Sequence, residues 1–174
     1  FDIDGRPLEY DASGPIDISI PLRFNGPQPN AFGVDAATAA VLGDTRDGSS
    51  VNFERYAIVP HCSGAHTECV GHITDQRISV REYLQDVLMP AVLVTVEPEI
   101  VSEPPASAGG QFAVDHVISA EMLRPQISKT DGAVPQALII RTVPNDDSKL
   151  TRRYDTDNIP PYFTADAIEY IVKC

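Results

Sequence analysis

Residues 61–72 read His61-Cys62-Ser63-Gly64-Ala65-His66-Thr67-Glu68-Cys69-Val70-Gly71-His72. Three of the chain's four histidines and two of its three cysteines fall inside this window, so it concentrates the groups that bind ions or move protons. In an extended chain alternate side chains share a face. Cys62, His66, Glu68 and His72 are therefore expected on one side. His66 and Glu68 would lie roughly 6–7 Å apart at Cα, close enough to grip one ion. Cys62, about 13 Å from His66 in a straight strand, joins them only through a bend, which Ser63-Gly64 can supply. Gly71 can do the same for His72. Imidazole, carboxylate and thiolate together suit zinc, and imidazole with carboxylate also suits manganese or iron. A ligand set open to water would bring that water's pKa toward about 7, and a histidine outside it could shuttle protons. A structural hydrogen-bond network or a surface patch uses the same residue types, and the spacing leaves these readings open.

Outward from the window, short elements alternate. Upstream, residues 16–22 alternate apolar and polar and predict a strand closed by Pro21. Residues 24–33 (FNGPQPNAFG) predict a loop. Tyr56 to Val59 is an apolar run stopped by Pro60. Downstream, Ser79 and Glu82 form a capping box for a helix over 79–88, with Val80, Tyr83, Leu84 and Val87 on one face. Ala91 to Val96 predicts a buried strand. Residues 97–111 (EPEIVSEPPASAGGQ) predict a surface loop. Ser119 is placed as the cap of a short helix ending at Pro125, with His116 on the surface nearby. Gln136 to Val143 predicts a central strand and residues 144–161 a long polar loop. Thr164 is placed as the cap of a last helix whose apolar stripe is Ala167, Ile168, Ile171 and Val172. The sum is an α/β class with a mixed β-sheet and flanking helices. One domain is expected over 1–174. A layered fold normally adds a strand after such a helix, so the domain is expected to lack its C-terminal part.

Composition narrows the function. With 43% apolar and 22% charged residues, the chain has the profile of a soluble globule. No apolar run approaches the roughly 20 residues of a membrane span, and no secretory leader is visible. A net charge of −12 repels phosphate backbones and argues against nucleic-acid partners. An odd cysteine count without a leader points to a reducing, cytoplasmic setting.

The window resembles the signature of the cyclase family, which includes kynurenine formamidase and isatin hydrolase and reads His-x-Gly-Thr-His-x-Asp-x-Pro-x-His. The resemblance continues through residues 16–22, the segments at 79–88 and 91–96, "VISAEML", "ALIIRT" and "YFTADAIEYIV". It implies a swivelling β/β/α domain assembled as a homodimer or homotetramer. It also implies one or two divalent ions, zinc foremost or manganese. By resemblance His66 is a metal ligand, Glu68 replaces the ligating aspartate, and His72 is the general acid/base. The family's first histidine falls at Cys62, whose thiolate can bind zinc, or is supplied by His61 after a one-residue slip. Val70 replaces the motif's proline and Ala65 its threonine. Phe24 and Phe32 fall where the family places an aromatic substrate wall, and Arg152-Arg153 could meet a substrate carboxylate. The family's remaining His and Glu ligands lie beyond the last helix.

The resemblance implies a metal-dependent hydrolase of a C–N bond in a small amide, arylformamidase-like, releasing formate from an N-formyl aromatic amine. Loss of the ion in His66→Ala and Glu68→Ala variants is expected on that reading. The alternatives are a catalytically decayed relative with a binding or structural role, and a cysteine-nucleophile enzyme using Cys62 or Cys69 with His66 or His72.

Overall fold

The structure is a computed structural model and describes residues 2–3, 6–7, 9–86, 88–101, 115–127, 136–156 and 158–174. The strands are β1 (Asp2–Ile3), β2 (Arg6–Pro7), β3 (Asn30–Ala31), β4 (Thr38–Gly43), β5 (Phe53–Ala57), β6 (Ala91–Val96), β7 (Glu99–Val101), β8 (Asp115–Ile118), β9 (Ala137–Thr142), β10 (Arg153–Tyr154) and β11 (Tyr162–Phe163). The helices are α1 (Pro60–Ser63), α2 (Val80–Tyr83), α3 (Ala120–Ile127) and α4 (Ala165–Lys173). The class is mixed α/β, with small sheets in place of one continuous sheet. Internal contacts divide the chain into two compact units. One is residues 1–17, 85–145 and 159–174; the other is 18–84 and 146–158.

The first unit holds the apolar core. β6 and β9 pair in parallel, from Ala91 opposite Ala137 to Val96 opposite Thr142. β8 pairs in parallel with β11 and antiparallel with β7. On β6, Val94 and Val96 turn inward at 0% and 3% exposure while Leu93 faces out, the period-2 pattern of a half-buried strand. Leu123 and Ile127 of α3 pack onto that face with Ile118 and Ala167, and the buried Ala120 completes the i, i+3, i+7 spacing of one helical stripe. Thr95 points away from this core, and its backbone N–H and C=O bond the side-chain amide of Gln126 at 3.2 and 2.8 Å. Gln126 thus satisfies backbone groups of β6 that a further strand would otherwise pair.

A buried carboxylate lies in the same unit. Asp115 is 2% exposed. Its Oδ2 accepts from the Tyr162 hydroxyl, and Oδ1 has no partner among the described residues. Donation to Asp115 holds the Tyr162 phenol above the ordinary tyrosine range. A folded-state pKa above the unfolded value gives stability that is present below about pH 10 and lost as pH rises through the folded value. Tyr162→Phe is therefore expected to cost about 1–2 kcal/mol in urea denaturation at pH 7. The native chain should lose that advantage only in alkali. An advantage that fades between pH 5 and 8 would assign the dependence to another group.

The second unit is built from a hairpin and docked loops. β4 and β5 pair antiparallel with a bulge between Val41 and Gly43, and β3 pairs in parallel with β10. The Asn25 side chain bonds the Ala39 backbone twice, at 2.8 and 3.1 Å. Gln28 accepts from the Arg23 N–H and donates to the Ser63 carbonyl. The loop after Pro21 is thereby tied to β4 on one side and to the end of α1 on the other.

Several expectations are corrected. Residues 16–22 form no strand, and Ile16 and Ile18 are 87% and 74% exposed; the alternation found no partner strand. The capping box at Ser79 and Glu82 is present, but α2 ends at Tyr83 after one turn. Leu84 closes it, and Val87 lies outside the described residues. Within 97–111, Glu99–Val101 is a strand against β8, and residues 102–111 lie outside the described residues. α3 continues past Pro125 because Ile127 is buried. The polar stretch 144–161 contains a 3-10 turn at Asp147–Leu150 and β10. Thr164 stands at the N-cap of α4, but its side chain accepts no helix N–H, and its hydroxyl donates to the Ile118 carbonyl. The buried stripe of α4 is Ala167, Tyr170 and Ile171, while Ile168 and Val172 are 46% and 81% exposed.

Candidate metal centre

The window at 61–72 is a helix, a bend and a turn, not a strand. Pro60 opens α1 at the first helical position, where its missing N–H costs nothing. Successive residues on a helix point about 100° apart, so His61 faces outward while Cys62 and Ser63 turn inward to 8% and 3% exposure. Gly64, at φ 138°, ends the helix in a backbone conformation that side chains with a Cβ rarely adopt. The bend expected at Ser63-Gly64 thus exists, but the parity argument that grouped Cys62 with His66 does not apply to a helix. After an extended stretch, Val70–His72 make a 3-10 turn closed by the His72 N–H on the Cys69 carbonyl at 2.9 Å. A Cβ on Gly71 would meet the backbone of Ile78 at 2.7 Å, so only glycine lets that turn press against 78. Cys69 adds a thiol contact to the Ile78 carbonyl at 3.3 Å.

These turns gather three imidazoles around one carboxylate. Glu68 Oε2 lies 3.7 Å from His61 Nε2, 3.5 Å from His66 Nε2 and 3.8 Å from His72 Nε2. The His61 and His72 rings stack at 4.2 Å with planes 10° apart. Ligand atoms of His61, Glu68 and His72 all lie within 4.8 Å of one another. Donors around a tetrahedral zinc ion sit about 3.3 Å apart, so the group would draw together by up to about 1.5 Å to seat an ion. The three side chains are roughly half exposed and free to make that shift. Two imidazoles and a carboxylate are also a suitable donor set for zinc or manganese.

His66 stands slightly apart. Its Nδ1 lies 2.9 Å from the Gly64 carbonyl. A carbonyl only accepts, so Nδ1 carries a proton, and Nε2 is the ring nitrogen that faces Glu68.

Residues 16–174 match the family model described as Putative cyclase. The chain belongs to the cyclase family. The resemblance read from the motif thus holds over nearly its whole length, and a divalent ion at the cluster agrees with that membership. No curated protein and no solved structure matches this cyclase-family chain.

The other residues singled out from the sequence lie elsewhere. Cys62 is buried inside α1 and is not in the group of close donors. Phe24 packs on Tyr56 with ring centroids 4.7 Å apart. Phe32, at φ 58°, is 87% exposed. Arg152 donates to Ser148 and Arg153 lies in β10. His116 is exposed on β8. A cavity of about 470 Å³ opens beside the cluster, lined by His61, Glu68 and His72 together with Thr67, Asp75 and Arg77. Thr67, Asp75 and Arg77 carry no signal in the sequence that marks them as site residues. They are isolated polar residues in a loop, and no spacing distinguishes them from ordinary surface residues. No described helix is long and apolar enough to cross a membrane.

Proposed function

We propose that the protein is a metal-dependent hydrolase of a C–N bond in a small amide, arylformamidase-like. The convergence of His61, His66 and His72 on Glu68 Oε2 supports this reading. His61, Glu68 and His72 would hold the ion, whose Lewis acidity makes an amide carbonyl electrophilic and a water nucleophilic at neutral pH. His66 takes a proton from the attacking water at Nε2 and returns it to the departing nitrogen. Its tautomer is fixed for this by the Gly64 carbonyl. This exchanges the roles that resemblance gives to His66 and His72, and it gives His61 the place of the family's first histidine. The same reading carries the swivelling β/β/α arrangement, a homodimeric or homotetrameric assembly and a cytoplasmic setting.

The test is metal content and formanilide hydrolysis, measured side by side. The native protein should hold about one equivalent of zinc or manganese and lose turnover on chelation. His66→Ala should keep the ion and lose about 10²–10⁴-fold in kcat. Loss of the ion from His66→Ala, with retention in His72→Ala, would restore the roles given by resemblance. No ion in the native protein after dialysis against either metal would favour a catalytically decayed relative.

A further inference from the structure

We propose that Arg77 anchors a carboxylate of the substrate, so that the site selects small amides carrying both an acid group and an apolar body. This rests on the hydrolase reading above. The cavity beside the cluster, about 470 Å³, is of the size that encloses a small molecule. Arg77 lies on its wall, as do Glu68 and His72. It belongs to the loop between the turn at Val70–His72 and α2.

Three observations single out its guanidinium. Arg77 supplies the only lysine or arginine charge among the described residues lining the cavity. Glu68 and Asp75 line the same cavity in a chain of net charge −12, and their field alone would repel an anion. Among the described residues Arg77 makes no hydrogen bond or ion pair, Asp75 included. Its charge therefore serves no contact within the described fold and is available to a ligand. Guanidinium presents parallel N–H donors that match a carboxylate in a bidentate pair. Ile78 and Val80, also on the wall, offer apolar surface to the rest of the molecule. Arg152, the sequence-level candidate for this role, is occupied with Ser148 and does not line the cavity.

The experiment compares matched probes on the metal-loaded protein. N-formyl-L-phenylalanine and its C-terminal amide differ only in the acid group, and 3-phenylpropionate and 3-phenylpropionamide repeat the comparison without a scissile formyl group. The ratio of kcat/KM is read for the first pair and the ratio of calorimetric affinities for the second. The native protein is expected to prefer the acid by about tenfold in both. Arg77→Met should bring both ratios close to one, Arg77→Lys should recover part of the preference, and Arg152→Met should match the native ratios. The proposal is overturned if Arg77→Met keeps the preference, if the native protein treats acid and amide alike, or if it binds neither. Formanilide carries no acid group, so its hydrolysis together with metal content reports on the hydrolase reading independently of Arg77. If formanilide is cleaved and the ion retained while Arg77→Met changes nothing, only the anchor falls. If formanilide survives and no ion is held, the hydrolase reading falls, and calorimetry still decides the anchor.

Discussion

Glu68→Ala is expected to empty the metal centre while leaving the fold intact. Glu68 Oε2 is the atom that approaches all three histidines, at 3.7, 3.5 and 3.8 Å, and the side chain is 48% exposed, so its loss leaves no buried void. Removal leaves two stacked imidazoles with no anionic ligand among the close donors. Loss of an outer partner of a ligand already costs about 10–100-fold in metal affinity, and loss of a ligand itself should exceed that. Glu68→Asp draws the carboxylate back by about one methylene and should weaken binding less. Elemental analysis after gel filtration, with circular dichroism for the fold, decides the point. Cys62→Ser is the informative control, since Cys62 is buried in α1 and its replacement should leave the ion in place. Loss of the ion from Cys62→Ser, with full retention in His61→Ala, would return the first ligand position to the thiolate.

Leu123→Ala should give a large stability loss, about 2–5 kcal/mol. Leu123 is 0% exposed and fills the space between α3 and Val94 and Val96 of β6. The truncation removes the transfer free energy of the side chain and leaves a cavity that the neighbouring strand cannot fully close. A typical domain has a total stability of only about 5–15 kcal/mol, so the variant should unfold at visibly lower urea. Val172→Ala, on the 81% exposed face of α4, should stay within about 0.5 kcal/mol. Comparable losses in the two variants would mean that α4 packs by the stripe read from the sequence and not by the face that carries Ala167, Tyr170 and Ile171.

The sequence by itself determined the donor types of the candidate site, the family and several local elements. The donor types of residues 61–72, the capping box at Ser79 and Glu82, the strand cores at 91–96 and 137–142, and the family itself are all readable from neighbours in the chain. Each depends on interactions over a few residues, or on a motif that carries its own spacing. Tertiary structure decided which of those donors meet. A single helical turn at Pro60–Ser63 rotates His61 outward and Cys62 inward, and no periodicity in so short a segment distinguishes that turn from a strand. Ile16 and Ile18 alternate like a strand yet found no pairing partner, because a strand needs another strand that the pattern cannot supply. Val172 matches the period of an apolar stripe, but α4 is held by Ala167 against the core, and that contact sets which face is buried. Arg77 carries no local signal at all. Its place on the cavity wall follows from the turn at Val70–His72 and the press of Gly71 against Ile78, which put a loop residue on the same wall as a carboxylate nine positions earlier in the chain.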